Sequence, residues 1–214
     1  MKKLPFVFLL LGGLSLAAPS AALAEPASAP PHAAAAGAPR LVVEQLDDAL
    51  LAAMKQAHKL GYTGRYRSLA PVIERTYDFP AVAALVLGGQ WSRLSPAQQR
   101  EFVAALRDYT IATYAARFDG YAGERFAIKS IQPLPPNRMV VSSTLTESGG
   151  KVHSLDYLMQ PVAGQWRVIN VVADGVSDLA LKQAEFTHLL EQRGFPGLIA
   201  GLKGYIARMA QGKE

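Results

Sequence analysis

Large apolar residues recur first at helical spacing, then at alternate positions, then at helical spacing again. From Leu41 to Leu60, Leu46, Leu50, Met54 and His58 form one stripe four residues apart, which predicts a helix stopped by Gly61. His58 is expected on the core side of that stripe. Tyr66 to Tyr77 predicts a second, shorter helix. Asp78 reads as an N-cap, with Pro80 in the first turn of a helix that carries Val82, Leu85, Val86 and Leu87 and ends at Gly88-Gly89. Ser95 and Gln98 have capping-box spacing around Pro96. The helix they open carries Phe102, Leu106 and Tyr109 on one side. Val103, Ile111, Tyr114 and Phe118 widen its apolar arc, and Gly120 closes it.

The period then switches to two. Four strands fit: Arg125 to Ile131, Met139 to Thr146, Lys151 to Gln160 and Gln165 to Ala173. Ser148-Gly149-Gly150 and Ala163-Gly164 join neighbours through short links, which implies an antiparallel meander. In the third strand Leu155, Tyr157 and Met159 share a face. In the fourth, Trp166, Val168 and Val172 are expected on one face, with Ile169 and Val171 on the other. Being apolar on both sides, that strand is expected to be central or covered twice. Ser177 caps a helix from Asp178 to Arg193 that carries Leu179, Phe186, Leu189 and Leu190. Gly194 stops it, and a last helix starts near Pro196. Helices, then strands, then helices predict an α+β fold: a four-stranded antiparallel meander sheet packed with several helices.

Composition changes the picture at the N-terminus. Lys2 and Lys3, the apolar run Leu4 to Ala18 and the small-x-small Ala22-Leu23-Ala24 have the order of a secretory signal peptide, expected at 1–24. Two glycines and Pro19 make that run a poor membrane span. Residues 25–40 are rich in Ala and Pro and read as a disordered leader. A single domain follows at 41–214. Export places the mature chain in the periplasm. With no cysteine there is no disulfide framework, thiolate metal site or lipid-modified cysteine. Half the residues are hydrophobic and 18% are charged, enough for one real core. The formal charge of +5 falls to +3 without Lys2 and Lys3, which is too weak to argue for nucleic acid.

Catalytic templates fail on geometry. His153, Ser154 and Asp156 sit on one strand, where neighbours point to opposite faces, so His153 and Ser154 do not meet. His188 lies three residues from both Glu185 and Glu191, a pattern better read as a solvated helix face than as a metal site. Gly149-Gly150-Lys151 ends like a phosphate loop. However, Val152 replaces the hydroxyl residue and Leu145 the first glycine. No cofactor is implied. What remains is apolar surface, and periodicity does not distinguish a filled core from a hollow one.

Leu85-Val86-Leu87-Gly88, Trp91, Ser95-Pro96-Ala97-Gln98-Gln99 and the aromatic helix to Phe118 resemble the MlaC family, the periplasmic components of Mla-type ABC phospholipid transport systems. Trp166-Arg167-Val168, Asp174-Gly175-Val176-Ser177 and Gly194-Phe195-Pro196-Gly197-Leu198-Ile199 agree in order and spacing. Glu74-Arg75-Thr76-Tyr77-Asp78 and Tyr114-Ala115-Ala116-Arg117-Phe118-Asp119-Gly120 look closest to the hopanoid-associated HpnM subgroup. The resemblance implies a non-enzymatic carrier of a phospholipid or hopanoid-type lipid. Its implied partners are an inner-membrane ABC transporter complex and an outer-membrane acceptor or donor. The acyl chains would sit in an apolar cavity between sheet and helices. Facing assigns the lining to Leu85, Val86, Phe102, Leu106, Tyr109, Tyr114 and Phe118 from the helices before the sheet. It adds Leu155, Tyr157, Met159, Trp166 and Val168 from the sheet, and Phe186 and Leu189 after it. The competing readings are a closed-core periplasmic adaptor and a small α+β enzyme using Asp156 or Asp174 as a buried acid.

Overall fold

The computed structural model describes residues 31–212. The expected signal peptide and the first part of the leader lie outside the described residues. Helix α1 (Pro31–Lys55) begins upstream of the expected Leu41, in an Ala-rich run of high helix propensity. It turns at Gln56 into α2 (Ala57–Thr76), which Gly61 interrupts at φ 57°, ψ −176°, a conformation open to glycine. The predicted stop at Gly61 is therefore a kink. His58, just before it, is exposed and does not join the core stripe that holds Leu46 and Leu50.

Local caps define the next helices. The Asp78 side chain accepts from the Ala81 amide at 3.1 Å and starts α3 (Phe79–Leu87). Its second oxygen accepts from Gln160 Nε2 at 2.8 Å, so one carboxylate both caps a helix and ties it to the sheet. A 3-10 turn, Gly88–Arg93, leads to α4 (Pro96–Arg117), where both halves of the Ser95/Gln98 capping box form. Phe118 is the C-cap, ahead of the expected Gly120. Buried Arg65 donates to the Ala115 carbonyl at 2.8 Å and fixes α2 against α4.

The sheet runs in chain order as an antiparallel meander: β1 (Arg125–Leu134), β2 (Arg138–Thr146), β3 (Val152–Val162), β4 (Gln165–Ala173) and β5 (Val176–Ser177). It has five strands where four were predicted. Asp174 and Gly175, at φ 50° and 81°, make a tight turn that pairs β5 with β4. A two-residue strand is too short to show alternation, which is why periodicity missed it.

A bulge corrects the expected faces of β4. Met159 pairs with Val168, but Leu158 pairs with Asn170, so Ile169 is the extra residue. Beyond it the alternation flips, and Val171, opposite Tyr157, shares the face of Val168 and Met159. Val172, opposite Asp156, falls on the other face. Helix α5 (Asp178–Ala210) starts at the Ser177 cap and is broken at Gly194, φ 64° and ψ −178°, where two helices were predicted. Phe186 on α5 is fully buried and meets Phe102 and Tyr109 of α4 edge-on, at 6.3 and 5.4 Å between ring centres. Each such ring contributes roughly 1.5–3 kcal/mol by burial.

Candidate functional site

The helices and the sheet do not close fully. A cleft of about 850 Å³ opens between the inner face of β2 to β4, the C-terminal half of α4, the start of α5 and the loop after α4. The sheet contributes Leu145, Leu155, Tyr157, Val171 and Ala173, and α1 contributes Met54. One wall carries Tyr77, Tyr114 and Phe118, the middle of a longer run of aromatic rings. Tyr77 stacks on Phe79 at 5.6 Å and meets Tyr114 edge-on at 6.3 Å. Tyr114 in turn stacks on Phe118 at 5.7 Å, and Phe118 reaches Phe126 at 6.3 Å. The Tyr77 and Tyr114 hydroxyls share a hydrogen bond of 2.6 Å. Burial pushes both phenols, and that of Tyr157, well above their ordinary value, so they stay neutral. Position is fixed by the backbone: the Asp78 amide donates to the Val168 carbonyl at 3.0 Å, which anchors the α2–α3 junction to β4.

The mouth is charged. His153 at the start of β3 lies between Asp174 Oδ2 at 2.6 Å and Glu147 Oε1 at 2.8 Å, and Asp174 Oδ1 accepts from the Ser154 amide at 2.8 Å. These contacts clasp the β2–β3 hairpin to the β4–β5 turn. Hydrogen bonding to Asp174, then to Glu147, raises the imidazole above its ordinary value, and the same bond lowers the Asp174 carboxyl. On α5, buried Lys182 pairs with Asp178 and lies 5.6 Å from the centre of the Tyr109 ring. A second cavity of about 630 Å³ adjoins the cleft across Thr113, Arg117, Asp178 and Lys182, and includes Tyr109, Leu189 and Tyr205.

The structure distributes the sequence-predicted lining residues unevenly. Tyr114, Phe118, Leu155 and Tyr157 border the cleft, and Tyr109 and Leu189 the second cavity. Val86, Phe102, Leu106, Met159, Val168 and Phe186 are fully buried in the packed core. Leu85 lies on the outer side of α3, 40% exposed, and Trp166 is half-buried at the edge of the core. Sequence reasoning missed Met54, Tyr77, Leu145 and Val171. Leu145 was legible from alternation in β2, and Tyr77 was seen only as a helix end. Val171 reaches this face only because of the bulge.

Asp174, the candidate buried acid, is exposed, hydrogen-bonded and lowered, the opposite of what a general acid needs. Among the described residues no three His, Cys, Asp or Glu side chains cluster as metal ligands, and no helix is long and apolar enough to cross a membrane. A five-stranded antiparallel meander packed with helices, with an open cleft partly walled by aromatic rings, defines an α+β fold that carries a candidate binding cleft.

Comparison with known proteins makes the class specific. The chain belongs to the MlaC family, whose sequence model matches residues 44–204. It is 21% identical over 167 residues to the toluene tolerance protein ttg2D of Pseudomonas putida, covering 77% of this chain and 78% of that protein. Its fold is similar to that of a phospholipid-binding protein from Ralstonia solanacearum solved with a phospholipid. That likeness has a TM-score of 0.70 at 22% identity and covers 79% of this chain and 97% of the other.

Proposed function

We propose that this protein is a periplasmic lipid carrier that acts without catalysis. It takes a phospholipid or hopanoid-type lipid from one membrane complex, holds the acyl chains in the cleft and delivers them to another. The observation that carries this reading is the cleft itself: about 850 Å³ walled by Tyr77, Tyr114 and Phe118 on one side and Leu155, Tyr157 and Val171 on the other. Membership of the MlaC family and the phospholipid held by the Ralstonia protein support the cargo class. Exposing two acyl chains to water costs on the order of 20 kcal/mol, at about 0.8 kcal/mol per methylene. A cleft that shields them removes most of that barrier. The partners this implies are an inner-membrane ABC transporter complex, which would supply the energy, and an outer-membrane acceptor or donor. Cleavage of residues 1–24 would deliver the mature chain to the periplasm, and the HpnM-like segments around Glu74 and Tyr114 favour hopanoid-rich membranes as its setting.

The test is native mass spectrometry of the mature protein, purified from periplasm without detergent, followed by lipid extraction. About one lipid per chain is expected, and its identity separates phospholipid from hopanoid. A protein that is reproducibly empty and takes no lipid from vesicles refutes the carrier reading in favour of a closed adaptor.

A further inference from the structure

We propose that Arg117 and Asp119 form a subsite for a zwitterionic head group at the cleft mouth, with the guanidinium taking a phosphate and the carboxylate taking the cationic amine beside it. This rests on the carrier reading above. Both residues border the cleft, Arg117 as the last residue of α4 and Asp119 just past the Phe118 C-cap. The other charged side chains of the mouth are already engaged. Lys182 is held by Asp178, His153 by Glu147 and Asp174, and Glu124 accepts from the Ala122 amide at 2.6 Å. The exposed side chains of Arg117 and Asp119 make no ion pair with any other described residue. No ion pair joins the two, so neither charge is neutralised by the other.

Their placement suits an amphiphile. Phe118, the residue between them, is stacked on Tyr114 in the cleft wall, so an aromatic surface for acyl chains lies next to the charged pair. Arg117 also borders both adjoining cavities, of about 630 and 520 Å³, and Asp119 borders the smaller, so the pair stands where three openings meet. A guanidinium offers phosphate a planar two-pronged set of donors. Carboxylates outnumber cations around the cleft although the whole chain carries +5. Such a mouth disfavours a purely anionic head group and suits one whose phosphate is balanced by an amine.

The experiment offers the mature protein mixed vesicles holding equal amounts of phosphatidylethanolamine, phosphatidylglycerol and diacylglycerol with identical acyl chains, and weighs what it extracts. Wild type is expected to enrich phosphatidylethanolamine over both others. Arg117→Gln is expected to cut the preference for phospholipid over diacylglycerol about tenfold, the loss of one charge-assisted contact, while Arg117→Lys keeps part of it. Asp119→Asn is expected to lower the ratio of phosphatidylethanolamine to phosphatidylglycerol. Arg93→Gln, an exposed arginine in the 3-10 turn away from the cleft, controls for net charge. Wild-type extraction patterns in both Arg117→Gln and Asp119→Asn overturn the subsite and leave the carrier reading standing. A wild type that extracts none of the three lipids overturns the carrier reading itself.

Discussion

Replacing Asp47 with Asn should flatten the pH dependence of stability between pH 4 and pH 7. Asp47 lies on the core side of α1, 5% exposed, beside Val43, Leu46 and Leu50, and its Oδ1 has no hydrogen-bond partner among the described residues. Burial, then the nearby charges of Asp48 and Glu44, push its carboxyl from 3.8 to about 7. The folded chain therefore holds a proton that the unfolded chain releases. Below pH 4 both states are protonated and the group is neutral in either. As pH rises toward 7 the unfolded state ionises first, so stability falls, and above about 7 the penalty is complete. The gap between 3.8 and about 7 corresponds to at most about 4 kcal/mol, at about 1.36 kcal/mol per pH unit. Asn keeps the shape and removes the titration. Urea unfolding at pH 4.5 and pH 8 measures the difference. Wild type should lose about 2–4 kcal/mol more than Asp47→Asn across that interval. The His153 clasp also weakens as pH rises, but it is common to both proteins and cancels. Parallel pH profiles, within about 0.5 kcal/mol, would refute the assignment of a buried, proton-holding carboxyl.

Four further outcomes follow from named contacts. Tyr77→Phe and Tyr114→Phe should each cost about 1–2 kcal/mol by orphaning the other hydroxyl, whereas the double variant should cost no more than one of them; a urea-based mutant cycle reads the coupling. Asp78→Ala removes both the α3 cap and the acceptor for Gln160, and should lower stability by about 1–2 kcal/mol, with Asp78→Asn restoring most of the cap. Leu155→Trp places a large ring in the cleft and should reduce the lipid recovered per chain while the far-UV circular dichroism stays unchanged. The His153 imidazole should titrate above 6.5 in an NMR pH series and move back toward 6.5 in Asp174→Asn. Its folded value is raised, so the clasp is complete in mild acid and is lost as pH rises through that value.

What the sequence made legible was local. Ser95 with Gln98, Asp78 with Pro80, and Ser177 each satisfy amides within their own first turn, so a cap can be read without knowing what the helix packs on. Gly61 and Gly194 were equally readable as breaks, although they bend the chain rather than end it. Asp174-Gly175 was read only as part of a strand-to-helix passage, and β5 is too short to carry a period. The faces of β4 were not legible, because the bulge at Ile169 is a fact about pairing with β3 and leaves no mark in the order of apolar residues. The cleft was half legible for the same reason. Tyr114 and Phe118 look no different from Phe102 and Leu106 on a helical wheel. Whether a ring meets Phe186 or empty space depends on α5, far along the chain. Asp47 lay inside an apolar stripe and carried no signal of its own.

The cleft has a thermodynamic consequence. Its lining comes from residues as far apart as Met54 and Lys182, so it exists only when α1, α4, the sheet and α5 are all docked. Any cargo that fills it binds the folded chain and not the unfolded one. At a concentration a hundred times its Kd, such a ligand adds about 2.7 kcal/mol to the free energy of unfolding. Loading and unloading would then raise and lower the melting temperature of the whole domain, so an emptied chain is the form that unfolds and meets proteases first, and heat resistance becomes a gauge of how much of the pool is carrying cargo.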